Sequence, residues 1–124
     1  MMRGLVAVLA AIPLINGPAR AAGPDRLTEL LAGKTAESPR RCIFPDGSVQ
    51  AEIIDGTALV YRDARYTYVG RLKGGCPALR EGRRIVTRGA GGQLCENDPV
   101  RVTEPTGAGF GFCTFDQFTP YRKK

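Results

Sequence analysis

The stretch that decides the fold is "AGFGFCTF", Ala108 to Phe115. The signature strand of RNA-recognition domains reads Lys/Arg, Gly, Phe/Tyr, Gly/Ala, Phe, Val, any residue, Phe/Tyr. Gly109, Phe110, Gly111, Phe112 and Phe115 fall in place. Two departures argue the other way. Ala108 stands where a phosphate-contacting cation belongs, and Cys113 stands where a core aliphatic belongs. That fold also backs its sheet with two helices, and no helical pattern interrupts the strands around this segment. The segment is therefore read as a glycine-rich strand. Alternation places Phe110 and Phe112 on one face as core residues and Gly109, Gly111 and Cys113 on the other. Nucleic acid is not an expected partner.

Cys113 is one of four cysteines, with Cys42, Cys76 and Cys95. Their environment is set by the first residues, "MMRGLVAVLAAIPLINGPARAAG". Arg3 precedes an apolar run from Leu5 to Ile15, and Ala19-Arg20-Ala21 offers small residues for cleavage, which is the layout of a secretory signal peptide. The run is too short to span a bilayer, and no other segment is apolar enough to do so. The expected organisation is a leader over 1–21, a short helix and linker over 22–40, one β domain over 41–121 and a basic tail over 122–124. A periplasmic or secreted location follows, and an even number of cysteines in a small exported chain reads as a disulfide framework. A zinc site is the rival, but no Cys-x-x-Cys knuckle is present. Sequence cannot choose among the three pairings. The nested arrangement, Cys76 with Cys95 and Cys42 with Cys113, is the one preferred here.

Between leader and sheet, "GPDRLTELLAGK" carries Leu27, Leu30 and Leu31 on one helical face, with Pro24 in the first turn and Gly33 to end it. From Arg41 the period falls from 3.6 to 2. "VQAEII" and "TALVYR" flank Asp55-Gly56, a two-residue hairpin signal. "RYTYVGRL", "RRIVTR", "QLC", "PVRVTE", "GFGFCTF" and "QFTPY" follow, separated by Gly- and Pro-rich turns. Six to eight short strands with so little helix predict an all-β, disulfide-stapled barrel or sandwich with one short N-terminal helix.

Charge is the main functional clue. The chain carries +6, or +4 once Arg3 and Arg20 leave with the leader. Arg71, Lys73, Arg80, Arg83, Arg84 and Arg88 cluster against the single acid Glu81. They form a candidate anion-binding patch for lipid head groups, lipopolysaccharide phosphates or acidic envelope polymers. "RLKGGCPALREGRR" does not have the spacing of a phosphate loop, and Pro77 lacks an N–H. Tyr66 and Tyr68 share a strand face with basic neighbours.

Catalysis is poorly supported. There is no His, which removes the commonest general base and metal ligand. Ser38 and Ser48 have no implied partner, and "ENDP" reads as a capped turn, so neither metal nor cofactor is expected. Glu52, Asp55, Asp63, Glu96, Asp98 and Glu104 keep open a small enzyme working through paired carboxylates. A third possibility is a structural or inhibitor-like module that binds a protein along an exposed strand edge. The leading expectation is a non-catalytic binding or interaction module of the cell envelope, with no catalytic residues.

Cys42-Ile43, "DGTALVY", "LKGGCPALR", "GGQLCENDPVRV" and "CTFDQF" together resemble a family of small exported bacterial proteins known only as a domain of unknown function. The likeness spans roughly 41–121. It implies an exported, cystine-stapled β domain and brings no activity, cofactor or binding residue with it.

Overall fold

The computed structural model describes Gly4 and residues 23–45, 51–87 and 92–124. The leader, Ser48 and Arg88 lie outside the described residues. One helix, α1 (Gly23–Leu31), precedes nine strands: β1 (Lys34–Ala36), β2 (Cys42–Ile43), β3 (Glu52–Ile54), β4 (Ala58–Arg62), β5 (Tyr66–Leu72), β6 (Arg84–Thr87), β7 (Leu94–Cys95), β8 (Pro99–Thr103) and β9 (Gly109–Lys123). The described residues are thus all-β with one short helix and two disulfides, as the alternation and the even number of cysteines predict. The nine strands among the described residues include two very short ones, β2 and β7, and one, β1, that forms inside the expected linker.

The main sheet is antiparallel, in the order β3-β4-β5-β9-β8-β6. Strand β9 is its axis. Its first half pairs with β8 and its second half with β5, while its end also pairs with β1 on the other side (Lys34↔Lys123, Ala36↔Tyr121). Two expectations change here. "GFGFCTF" and "QFTPY" form one continuous strand, and Arg122 and Lys123 are ladder residues rather than a basic tail beyond the β domain.

That continuity is made possible by an irregularity. Gly70 pairs with Phe118 but Leu72 pairs with Phe115, so β9 carries one residue more than β5 between those pairs. Such a bulge re-aims the side chains beyond it. It lets Phe115 and Phe118, three apart, both point inward, where they are fully buried with ring centroids 4.8 Å apart. They join Leu59, Tyr61, Tyr68, Leu72, Leu79, Val100 and Val102 in the larger core.

The opposite face of β3, β4 and β5 is covered by α1. Leu27 and Leu30 bury against Ile54, Ala58, Val60 and Val69, with Leu31 and Tyr121 at the margin. A helix this short stands only through such packing. Gly33, at φ 72°, ends it in the left-handed region that favours glycine.

The cystines depart from the preferred pairing. Cys42 is joined to Cys95 and Cys76 to Cys113. The reason lies in register: β2 and β7 form a two-stranded ladder in which Cys42 lies directly opposite Cys95. Cys113 faces inward on β9, beside Val100, and meets the loop between β5 and β6. That loop is pinned to the β3–β4 turn by Gly56 N–H to Leu79 O (2.7 Å) and Cys76 N–H to Gly56 O (3.0 Å), and it buries Leu79 completely.

An inward Cys113 also corrects the reading of the opening segment. With Cys113 and Phe115 inward, Phe112 must face outward, and it is 73% exposed. Of the two expected core phenylalanines, Phe112 is a surface residue and the side chain of Phe110 lies outside what the structure describes; the buried rings are Phe115 and Phe118. The β3–β4 connection differs too. Ile54 pairs with Ala58, so the turn contains Asp55, Gly56 and Thr57 rather than two residues, with Thr57 N–H donating to Ile54 O (2.9 Å).

Candidate functional site

Beyond the C-terminal end of α1 the sheet face that the helix covers changes character. Register places Arg62, Thr67 and Tyr121 in one cross-strand row, since Arg62 pairs with Thr67 and Thr67 with Tyr121. Lys123, two residues beyond Tyr121, shares its face and pairs with Lys34. The apolar stripe under the helix therefore gives way to a basic one. Arg65 joins it from the β4–β5 turn. These residues line a hollow of about 260 Å³, and Arg65, Tyr66 and Lys123 also border a second, wider hollow of about 590 Å³ that Arg122 completes.

The hollow is built rather than incidental. Lys34 is half-buried, and its Nζ donates to Leu30 O (2.8 Å), in the last turn of α1, and to Thr67 Oγ1 (2.9 Å). A cation on the last carbonyls is favoured by the helix dipole. Arg62 donates through Nη2 to Glu52 Oε2 (3.1 Å), whose other oxygen accepts from Arg26 Nε (2.8 Å). The helix, the edge strand and the hollow are thereby tied together. Asp63 is the single carboxylate lining the smaller hollow. Its Oδ1 accepts from the backbone N–H groups of Arg65 (2.8 Å) and Tyr66 (2.7 Å), an Asx turn that shapes the hairpin.

Four cations, Lys34, Arg62, Arg65 and Lys123, therefore face one carboxylate that is already engaged by the backbone. The electrostatic consequence shows at Lys34. Burial holds its ammonium below the usual lysine value, and repulsion from Arg62 and Lys123 lowers it further. A bound anion would relieve that repulsion. Around the corner, Arg40 stacks over Tyr66 and Tyr68, with Cζ 5.1 and 6.0 Å from the ring centroids. The shared face expected for the two tyrosines is present, with rings 5.5 Å apart. Burial, followed by the charge of Asp63, raises the Tyr68 hydroxyl above its ordinary range.

The cluster singled out from sequence is placed differently. Arg71 lies on β5 and Arg84 on β6, with β9 and β8 between those strands. Lys73 donates to Asn97 Oδ1 (2.6 Å) and lies 3.7 Å from Glu96. Arg83 donates to Ala78 O (2.7 Å) within its own loop. Arg80 is exposed on that loop. Sequence reasoning missed the real convergence because Lys34, the Arg62–Arg65 hairpin and Lys123 lie far apart along the chain. The available signal was the alternation of Thr119, Tyr121 and Lys123, which continues the strand to its end.

The carboxylates proposed for catalysis are mostly structural. Glu52 bridges Arg26 and Arg62, Asp55 Oδ1 accepts from Glu81 N–H (2.7 Å), and Asp63 caps its turn. Glu96 lies 3.5 Å from Arg41, and Asp98 Oδ2 accepts from Cys95 N–H (2.7 Å). Among the described residues no group of His, Cys, Asp and Glu is arranged to hold a metal ion, and no helix is long and apolar enough to cross a membrane.

Compared with known protein families, with curated proteins and with solved structures, the chain gives no match.

Proposed function

We propose that this chain is a non-catalytic, exported binding module whose ligand is an anionic group of the cell envelope, held in the hollow formed by Lys34, Arg62, Arg65 and Lys123. One observation carries the reading: three strands and a turn bring four cations to a hollow whose single carboxylate is already engaged. A volume of about 260 Å³ lies below the range typical of pockets for whole drug-sized molecules. It suits a head group, such as a phosphate or sulfate ester carried by a larger lipid or polymer. Lys and Arg around such a group attract it in a salt-sensitive way. The expected leader and the two disulfides support an oxidising compartment outside the cytoplasm.

The test is retention of the mature protein on a phosphate-bearing cation-exchange resin. The double variant Arg65→Glu/Lys123→Glu is expected to elute at clearly lower salt than Arg83→Glu/Arg84→Glu, although both change charge equally. Equal elution would show that net charge alone is being read, and the reverse order would return the site to the Arg71–Arg88 region.

A further inference from the structure

The other half of the sheet presents a surface that the basic hollow does not use. Val100 and Val102 of β8 and Cys113 of β9 face the core, so the residues between them face solvent. Register aligns Val86, Arg101 and Phe112 in one row across β6, β8 and β9. Val86 and Phe112 are 44% and 73% exposed, and with Pro99 and Arg101 they line a shallow groove of about 330 Å³. Scattered apolar side chains are ordinary on a protein surface, but here three adjoin in a single groove.

The groove ends at an open strand edge. β6 closes the order of the main sheet and pairs with β8 alone among the described residues. Its other side offers backbone N–H and C=O groups to an incoming strand. Arg84 lies two residues from Val86 and so shares its face. The outward residues Arg84, Val86, Pro99, Arg101, Phe112 and Thr114 include no carboxylate. A second copy of this chain would bring its own Arg84 and Arg101 against a surface whose charged residues are also arginines, a like-charge contact of the kind that guards edges against self-association.

We propose that this face and edge bind an extended acidic segment of a partner protein, which adds as a strand beside β6. Its backbone continues the ladder. One apolar side chain extends the row Phe112–Arg101–Val86, and an acidic side chain two residues along meets Arg84.

The experiment uses the oxidised mature protein, labelled for NMR, and two blocked peptides. In one, Glu and Val alternate with Thr; in the other, Lys replaces Glu. The Glu peptide is expected to bind saturably, to shift resonances of Val86, Arg101 and Phe112, and to slow amide exchange along 84–87. Phe112→Ala is expected to weaken it at least about tenfold, as loss of an aromatic anchor does, whereas Arg65→Glu/Lys123→Glu leaves it unchanged. The proposal is overturned if neither peptide binds, if the Lys peptide binds equally well, or if Phe112→Ala has no effect. It is also overturned if the protein dimerises through this face in sedimentation experiments. Because the basic hollow is tested by a separate variant, failure of one reading leaves the other standing.

Discussion

Replacing Gly70 by Ala sets two physical effects against each other and makes their sign the test. Gly70 lies in mid-β5 and is not among the glycines with positive φ. Backbone entropy alone therefore predicts that alanine stabilises, by about 0.4–1 kcal/mol. Packing predicts the opposite. A Cβ at Gly70 would lie 2.7 Å from Phe118 Cε1, 3.0 Å from Phe118 Cδ1 and 3.1 Å from Phe115 Cε1. Neither ring has room to retreat, because both are fully buried and rest on each other at 4.8 Å. The Phe118 backbone is also fixed, exchanging hydrogen bonds with Arg40 at 2.7 and 2.9 Å. Overpacking of this kind costs about 1–3 kcal/mol, enough to reverse the entropic gain. At about 4–8 °C per kcal/mol for a domain of this size, Gly70→Ala should lower Tm by several degrees or more, measured by circular dichroism on the oxidised protein. Phe118→Leu removes the nearest ring atoms, so the double variant should lose less than the two singles combined, by about 0.5–3 kcal/mol of coupling. A Gly70→Ala protein as stable as the parent, or more stable, would refute the close approach of β5 to the bulge of β9.

Peptide mapping without reduction should recover Cys42 linked to Cys95 and Cys76 linked to Cys113; recovery of the nested pair would overturn the β2–β7 register. The cystines close separations of 53 and 37 residues, each contributing about 4 kcal/mol by chain entropy, so reductant should lower the thermal midpoint sharply. In denaturant titrations Phe112→Ser should change stability by less than about 0.5 kcal/mol, whereas Phe115→Ala should cost about 3–5 kcal/mol; similar costs would mean the facing of β9 is wrong. Anion binding favours the charged form of Lys34, whose titration lies below the ordinary 10.5 because of burial and its basic neighbours. Affinity for inorganic phosphate should therefore fall as pH rises through that lowered value, earlier than an ordinary lysine allows. Lys34→Arg, which stays charged, should hold its affinity to higher pH; identical pH profiles for the two proteins would separate Lys34 from the ligand.

The parts of the fold legible in the sequence were those fixed by neighbours along the chain. Leu27, Leu30 and Leu31 at helical spacing announced α1, and Asp55-Gly56 announced a hairpin. What stayed hidden depends on contacts between distant segments. Cystine pairing was decided by β2 and β7, two residues each, whose register leaves no trace in composition. The candidate site was hidden for the same reason. A run of nearby arginines is easy to see, yet Arg71 and Arg84 end with two strands between them. Lys34 and Lys123 become neighbours only because β9 pairs back onto β1.

Both proposed surfaces depend on one feature of β9. Before the bulge, Cys113 and Phe115 face inward, which sends Phe112 out to the groove beside Arg101. After it, Phe118 and Pro120 face inward, which sends Tyr121 and Lys123 to the face shared with Arg62 and Lys34. Because side chains alternate, a strand slipped by one residue reverses every facing. A β9 without the extra residue could keep Cys113 within reach of Cys76, or keep Lys123 beside Lys34, but not both. The bulge thus lets one strand hold a cystine and an apolar groove at one end and a basic hollow at the other. Gly70, the position opposite Phe118 where no side chain fits, is what the neighbouring strand contributes to that arrangement.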